Sequence, residues 1–349
     1  MKTVIIDKSD WERGVRQSAK FYCLSGPAPQ GESLVFRELN PGELPVMDAR
    51  QTHLSPKTEV FPQTEILFTF SRDPGELLFG PPREPQDRFP PRAVIGIRPY
   101  DAKALSLMRL NFETREYQDP YWISAFKACT LIGLAENAPG PANFSTSCGT
   151  GPFDESSLDV LLVDAGDAFL ARVVTTKGEV WLETAGFETP AGEDAATVIR
   201  KFRDRAEASI TSRVDFRALD SMETLDLYNR EFWESGAFAC INCGICAHVC
   251  PTCWCFDIQD ETLGDRGCRL RIWDTCMSSL FSLHASGHNP RALGWQRMRN
   301  RFMHKLKYFP DKYNKGVMCV GCGRCVTACP VNIDIREIAG LMTLKGATL

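Results

Sequence analysis

Two short cysteine runs near the C-terminus carry the most specific chemistry in the chain: CINCGICAHVCP, with Cys240, Cys243, Cys246 and Cys250, and CVGCGRCVTACP, with Cys319, Cys322, Cys325 and Cys329. In each, three thiols two residues apart can wrap one side of an iron–sulfur cubane, while the fourth, followed by proline, points away and reaches the other cluster. The spacing predicts two [4Fe-4S] clusters held by crossed ligation. The first takes Cys240, Cys243, Cys246 and Cys329; the second takes Cys319, Cys322, Cys325 and Cys250. Gly244 and Gly323 suit a backbone that turns close to a cluster, and Pro251 and Pro330 suit the start of a helix. Zinc sites favour paired C-x-x-C units over this pattern.

Seven further cysteines bring the total to 15, a number that fits a reducing compartment better than a disulfide framework. Cys253, Cys255 and Cys276 could hold a third metal site, or pack as neutral thiols beside Trp254, Phe256 and Trp273. From His288 to Lys315, eight Lys and Arg side chains face one acid, Asp311. Such a stretch can balance the negative charge of thiolate clusters, present a dock to an acidic partner or contact nucleic acid; the first two uses are expected here. No phosphate loop, dinucleotide fingerprint or nucleophile elbow occurs, so no catalytic residue is assigned.

The elements that must position these thiols divide at about residue 190 of 349. Residues 1–190 read as a mixed α/β platform. Its expected strands are Val4–Ile6, Leu34–Leu39, Ala93–Ile97 and Leu131–Ala135, followed by a meander of Leu158–Val163, Phe169–Val174 and Val180–Glu183. Ser9 and Glu12 form a capping-box pattern for a first helix, and Asp101 is placed to cap a helix from Ala102 to Leu110. The Pro- and Gly-rich stretch Pro74–Arg92 reads as a surface connector or docking arm. Residues 191–349 read as helical, from Val198, Ile199, Phe202, Ala206 and Ile210 on one face onward. The fold class is therefore α+β, a platform followed by a mainly α-helical domain with two [4Fe-4S] clusters. The net charge of −4 says nothing of membrane or nucleic acid by itself, but the lack of a long apolar run or leader predicts a soluble, cytoplasmic chain with no membrane contact.

The long insertion between Cys250 and Cys319 resembles the helical ferredoxin domains of succinate dehydrogenase and heterodisulfide reductase iron–sulfur subunits. More specifically, CINCGICAHVCPTCWCFD, Trp273-Asp274-Thr275-Cys276, HASGHNPRALGWQRMRNRFMHKLKY and CVGCGRCVTACP resemble the beta subunit of soluble sulfhydrogenases and the iron–sulfur electron-transfer subunit of anaerobic sulfite reductase. GIRPYDAKAL and FSTSCGTGPFDESSLDVLLVD extend the likeness upstream. The resemblance implies an electron-transfer subunit of a cytoplasmic, anaerobic complex, placed between a flavin subunit linked to NAD(P)H or ferredoxin and a catalytic oxidoreductase subunit. It carries the eight run cysteines over as ligands. It also implies cysteines where this chain has Tyr100, Asn137, Asn143 and Ser145, and hence the loss of a further cluster in the platform. A different class, a self-contained corrinoid-type reductase fed by two clusters, shares the two-run pattern but lacks its cofactor signature here.

Overall fold

The computed structural model describes residues 2–48, 50–71, 73, 79–80 and 88–344; most of the Pro74–Arg92 stretch lies outside the described residues. Strands β1 (Thr3–Asp7), β2 (Cys23–Gln30), β3 (Ser33–Glu38), β6 (Arg92–Ile97), β7 (Cys129–Leu134), β8 (Val160–Asp164) and β9 (Ala168–Val173) form one sheet in the order β1-β9-β8-β7-β6-β2-β3. Its middle is parallel: β2, β6, β7 and β8 run the same way, with antiparallel β3 at one edge and β9 and β1 at the other.

The parallel strands are apolar throughout because both faces are covered. Ile95, Ile132 and Leu162 meet Trp11 and Val15 of α1 (Lys8–Ser18) and Trp181 and Leu182 of α4 (Thr176–Ala185). Val94, Leu131 and Leu161 point the other way, toward α2 (Pro99–Phe112), α3 (Pro120–Ala128) and α5 (Ala195–Ser209).

Three sequence expectations are corrected here. Ser9 and Glu12 form no capping box: both lie inside α1, whose flanking residue is Asp7, with no side-chain cap bond. Val180–Glu183 is not the third strand of a meander but lies inside α4. The Thr175 side chain accepts from the Gly178 amide to start that helix, and Gly186, with φ of 73°, ends it. Asp101 does not cap α2, whose flanking residue is Arg98; it sits in the first turn and turns inward instead.

A second sheet of order β10-β11-β4-β5 joins the two halves of the chain: β4 (Thr64–Ser71) and β5 (Phe79–Gly80) come from the N-terminal half, β10 (Phe256–Leu263) and β11 (Arg266–Trp273) from between the cysteine runs. The region expected to be mainly helical therefore also contains a long hairpin, closed by Gly264-Asp265 between the paired Leu263 and Arg266. Arg271 of β11 fixes its register against β4 through an ion pair with Glu65 at 2.5 Å and a second with Asp119, the residue whose side chain caps α3.

Helices α6 (Gly294–Met303) and α7 (Ile335–Thr343) pack in a separate core with Phe302, Met303, Leu306 and Trp233. Among the described residues no helix is long and apolar enough to cross a membrane.

Candidate metal centre

Both cysteine runs follow the same backbone path. The third residue of each is left-handed, Asn242 at φ 57° and Gly321 at φ 66°, and so is the fifth, Gly244 at 76° and Gly323 at 78°. These reversals curl each run before a single helical turn, Ile245–His248 in the first and Arg324–Thr327 in the second. Gly321 has a further reason to lack a Cβ. An added carbon would stand 2.5 Å from the backbone of Phe144, whose amide donates to the Gly321 carbonyl at 2.9 Å. The second run is thereby laid directly on the platform loop around residues 142–148.

The structure brings the cysteines of the two runs close to one another. Cys240, Cys243 and Cys246 line one cavity with Cys325 and Cys329 of the other run. Cys319, Cys322 and Cys325 in turn lie within electrostatic reach of Cys250. Amides point at two of the sulfurs: Gly321 donates to Cys319 Sγ at 3.4 Å and Ile333 to Cys329 Sγ at 3.2 Å. Such donors stabilise thiolates.

Two cations are sealed among these thiols. Lys305 is 2% exposed, and its Nζ donates to Thr252 Oγ1 at 2.8 Å; that hydroxyl also contacts Cys250 Sγ at 3.3 Å. Arg301 is 3% exposed and donates to the Cys246 carbonyl at 3.3 Å, while its Nε has no partner. Among the described residues neither cation forms an ion pair with a carboxylate. Burial pulls both pKa values down, yet Cys250 and Cys253 for Lys305, and Cys246 and Cys325 for Arg301, outweigh it and hold them raised.

The thiols show the complementary effect. Burial pushes Cys325 up to about 12 and raises Cys322 as well, so their ionisation needs added positive charge nearby. Buried cations without carboxylates, one with an orphaned Nε, fit an anionic metal–sulfur group. Among the described residues no three His, Cys, Asp or Glu side chains are grouped to hold a single metal ion.

The basic stretch proves largely internal. Arg297, Arg299, Arg301, Lys305 and Lys307 are all buried. Arg297 donates to the carbonyls of Met277, Arg291 and Ala292; Arg299 lies 3.5 Å over the Tyr228 ring; Lys307 donates to the Leu219 carbonyl.

Several contributors were missed in the sequence. Lys57, from the platform, is buried beneath the first run: its Nζ donates to the Cys253 carbonyl at 3.0 Å and lies 3.9 Å over the Trp273 ring. Burial lowers its pKa to about 8. Cys148 contacts Cys319, and Gln51 donates to the Cys322 carbonyl at 2.8 Å. Arg324, between two expected ligands, forms a two-pronged ion pair with Asp101 at 2.5 and 2.7 Å. A charged residue between two cysteines of the run was the available signal for that pair; nothing local marked Lys57.

The positions where the family resemblance implies cysteines hold a polar network. Asn143 donates to Glu136 at 2.8 Å and accepts from the Ser145 amide at 2.8 Å. Gln51 donates to the Tyr100 hydroxyl at 3.1 Å, and Asn137 to the Asp164 carbonyl at 2.7 Å. Burial raises Glu136 to about 7 within this network.

Comparison with known proteins agrees with the geometry. No solved structure matches the chain. Sulfhydrogenase 2 subunit beta of Pyrococcus furiosus is 26% identical over 313 residues, covering 88% of this chain and 89% of that protein. Residues 239–333, which span both cysteine runs, match the family model for a 4Fe-4S dicluster domain. The chain thus carries an iron–sulfur segment of the dicluster type and, along most of its length, is similar to a hydrogenase beta subunit, as its motifs imply.

Proposed function

We propose that this chain is an electron-transfer subunit of a cytoplasmic, anaerobic oxidoreductase complex, carrying two [4Fe-4S] clusters between a flavin-containing partner and a catalytic one. The observation that supports the reading is the gathering of the cysteines of both runs around buried, carboxylate-free cations. Cys240, Cys243, Cys246 and Cys329 hold one cluster; Cys319, Cys322, Cys325 and Cys250 hold the other. Each cluster, when bound, supplies one-electron redox chemistry. The chain's own residues set its conditions: Lys305 and Arg301 offset negative charge, amides of Gly321 and Ile333 donate to ligand sulfurs, and the apolar wall of Met298 and Phe302 limits water. Residues 1–190 form the assembly platform and 191–349 the mainly helical cofactor domain, with the shared second sheet holding them in register. Subunit beta of the sulfhydrogenase is named as part of a larger assembly, which supports the partner reading.

Anaerobic purification together with co-purifying proteins tests it. The expected result is about eight irons and eight sulfides per chain, two interacting paramagnetic centres after reduction, and a flavoprotein or catalytic partner. A chain that purifies alone with its own organic cofactor would overturn it in favour of a self-contained reductase.

Lys305→Met gives a finer check. Removing a buried positive charge disfavours the reduced, more negative state, so the midpoint potential of the centre beside Cys250 is expected to fall. A tenfold change in a one-electron equilibrium is about 59 mV, and a fall of that order is expected in a redox titration. An unchanged potential, with iron retained, would remove Lys305 from this role.

A further inference from the structure

Four stretches of chain that are far apart in sequence enclose a cleft of about 520 Å³. They are α2, through Lys103 and Leu107, the loop of residues 147–149 after β7, residues 213–220 beyond α5, and residues 315–317 just before Cys319. The volume is within the range of small-molecule sites, and the junction of platform and cofactor domain is a common place for one. Walls drawn from four separate segments leave no motif in the sequence.

The wall changes character with depth. Leu107, Phe216 and Val317 are buried and form an apolar floor. Above it stand four cations and two acids, in a chain whose net charge is −4. Arg217 is neutralised by Asp215 at 2.7 Å. That leaves Lys103, Arg213 and Lys315 against the carboxylate of Asp220, a surplus of two positive charges. Among the described residues the side chains of Lys103, Lys315 and Asp220 have no hydrogen-bond or ion-pair partner, and Arg213 reaches only the Thr146 hydroxyl and the Glu207 carbonyl. Lys103 is half-buried, so its ammonium is partly withdrawn from water with no counter-charge, a position that an anion relieves. Gly149 and Gly316, both on the wall, have left-handed φ of 69° and 67°, and no atom lies within 4 Å of where a Cβ would stand. Main chain is thereby open to close approach.

We propose that this cleft binds a mononucleotide, an exchangeable ligand with one phosphate, a hydroxylated sugar and a planar ring. A phosphate monoester carries about −1.5 to −2 charges at pH 7, which the surplus on the wall matches. The Asp220 carboxylate repels phosphate and is suited instead to accept from sugar hydroxyls. The ring covers the apolar floor. Inorganic phosphate would engage the cations alone and leave that floor wet. Arg213 and Lys315 are exposed, so the ligand comes and goes with solvent rather than staying as a resident cofactor. Bound there, it touches α2, the loop whose Phe144 amide holds Gly321, and Val317, two residues before Cys319, and so ties the approach to the second run to the platform. The inference stands on the cleft and not on the electron-transfer reading.

The test is isothermal titration calorimetry of the iron-loaded chain, purified anaerobically, with adenosine monophosphate and flavin mononucleotide at low salt. The expected result is one site per chain for at least one of them, with a dissociation constant on the order of micromolar. The matching nucleoside without phosphate, and inorganic phosphate without nucleoside, bind at least about tenfold more weakly. Raised salt weakens binding because exposed cations are screened. Lys103→Met and Lys315→Met each weaken binding about tenfold through loss of a charged hydrogen bond. Both variants keep their iron and thermal midpoint, since neither lysine has a protein partner to lose. Absence of binding by both nucleotides, equal binding of inorganic phosphate, or an affinity that neither lysine variant moves overturns the proposal. A chain that binds the nucleotide yet co-purifies with no partner sinks the electron-transfer reading and leaves this one standing.

Discussion

Asp101→Asn is expected to destabilise the chain by about 3–5 kcal/mol, because it breaks a buried ion pair and leaves one charge behind. Asp101 and Arg324 are at most 3% exposed at the side chain, and two parallel N–H donors of Arg324 meet the two carboxylate oxygens. Arg324 Nε is already committed to the Thr52 carbonyl at 2.9 Å, so the guanidinium has little freedom to find a new partner. Asparagine keeps the shape and one acceptor but not the charge. The damage also reaches the metal centre, since Arg324 stands between Cys322 and Cys325 and anchors the second run to α2. Thermal unfolding of the anaerobically purified variant is expected to fall by on the order of 10 °C, with iron lost preferentially from one centre. A midpoint within a degree of the parent would show that the pair contributes little.

Cys329→Ala and Cys240→Ala are expected to lose the same cluster although 89 positions separate them, while Cys250→Ala and Cys319→Ala lose the other. Each variant should retain about four irons instead of eight. The expectation follows from the proposed ligation, and Cys329 does line the cavity of the first run, together with Cys325. Iron assay and EPR of the four variants distinguish this from run-by-run ligation. If Cys329→Ala instead removed the signal lost in Cys319→Ala, the crossed assignment would fail.

The cysteine spacing was legible because cluster ligation imposes a local, rigid pattern that no other part of the chain needs to complete. The buried parallel strands were legible for a similar reason: Ala93–Ile97 and Leu131–Ala135 are continuous apolar runs. What the sequence hid depends on distant partners. Residues 64–71 are not among the expected strands, and pairing with β11 and β5 places them in the middle of a sheet. The hairpin carries a local signal in Gly264-Asp265, but the helical periodicity on either side of it masks that turn. Val180–Glu183 misleads because a β-branched residue after Lys-Gly-Glu mimics a strand after a turn; the Thr175 cap decides for helix. Lys57 gives no hint of its role, since a lysine between proline and threonine is unremarkable until Cys253 and Trp273 close over it.

The second sheet has a consequence for biosynthesis. β4 is complete when residue 71 is made, but its long partner, residues 266–272, is translated almost 200 residues later. At about 5–20 residues per second, β4 waits roughly 10–40 s with an unpaired edge, the kind of surface that recruits other chains. On the proposed crossed ligation the cysteine groups share this delay, as neither is complete before its counterpart in the other run is made. Iron insertion and closure of the sheet thus fall late in the life of the nascent chain, and conditions that slow translation of the second half lengthen the interval in which both the edge and the thiols stand exposed.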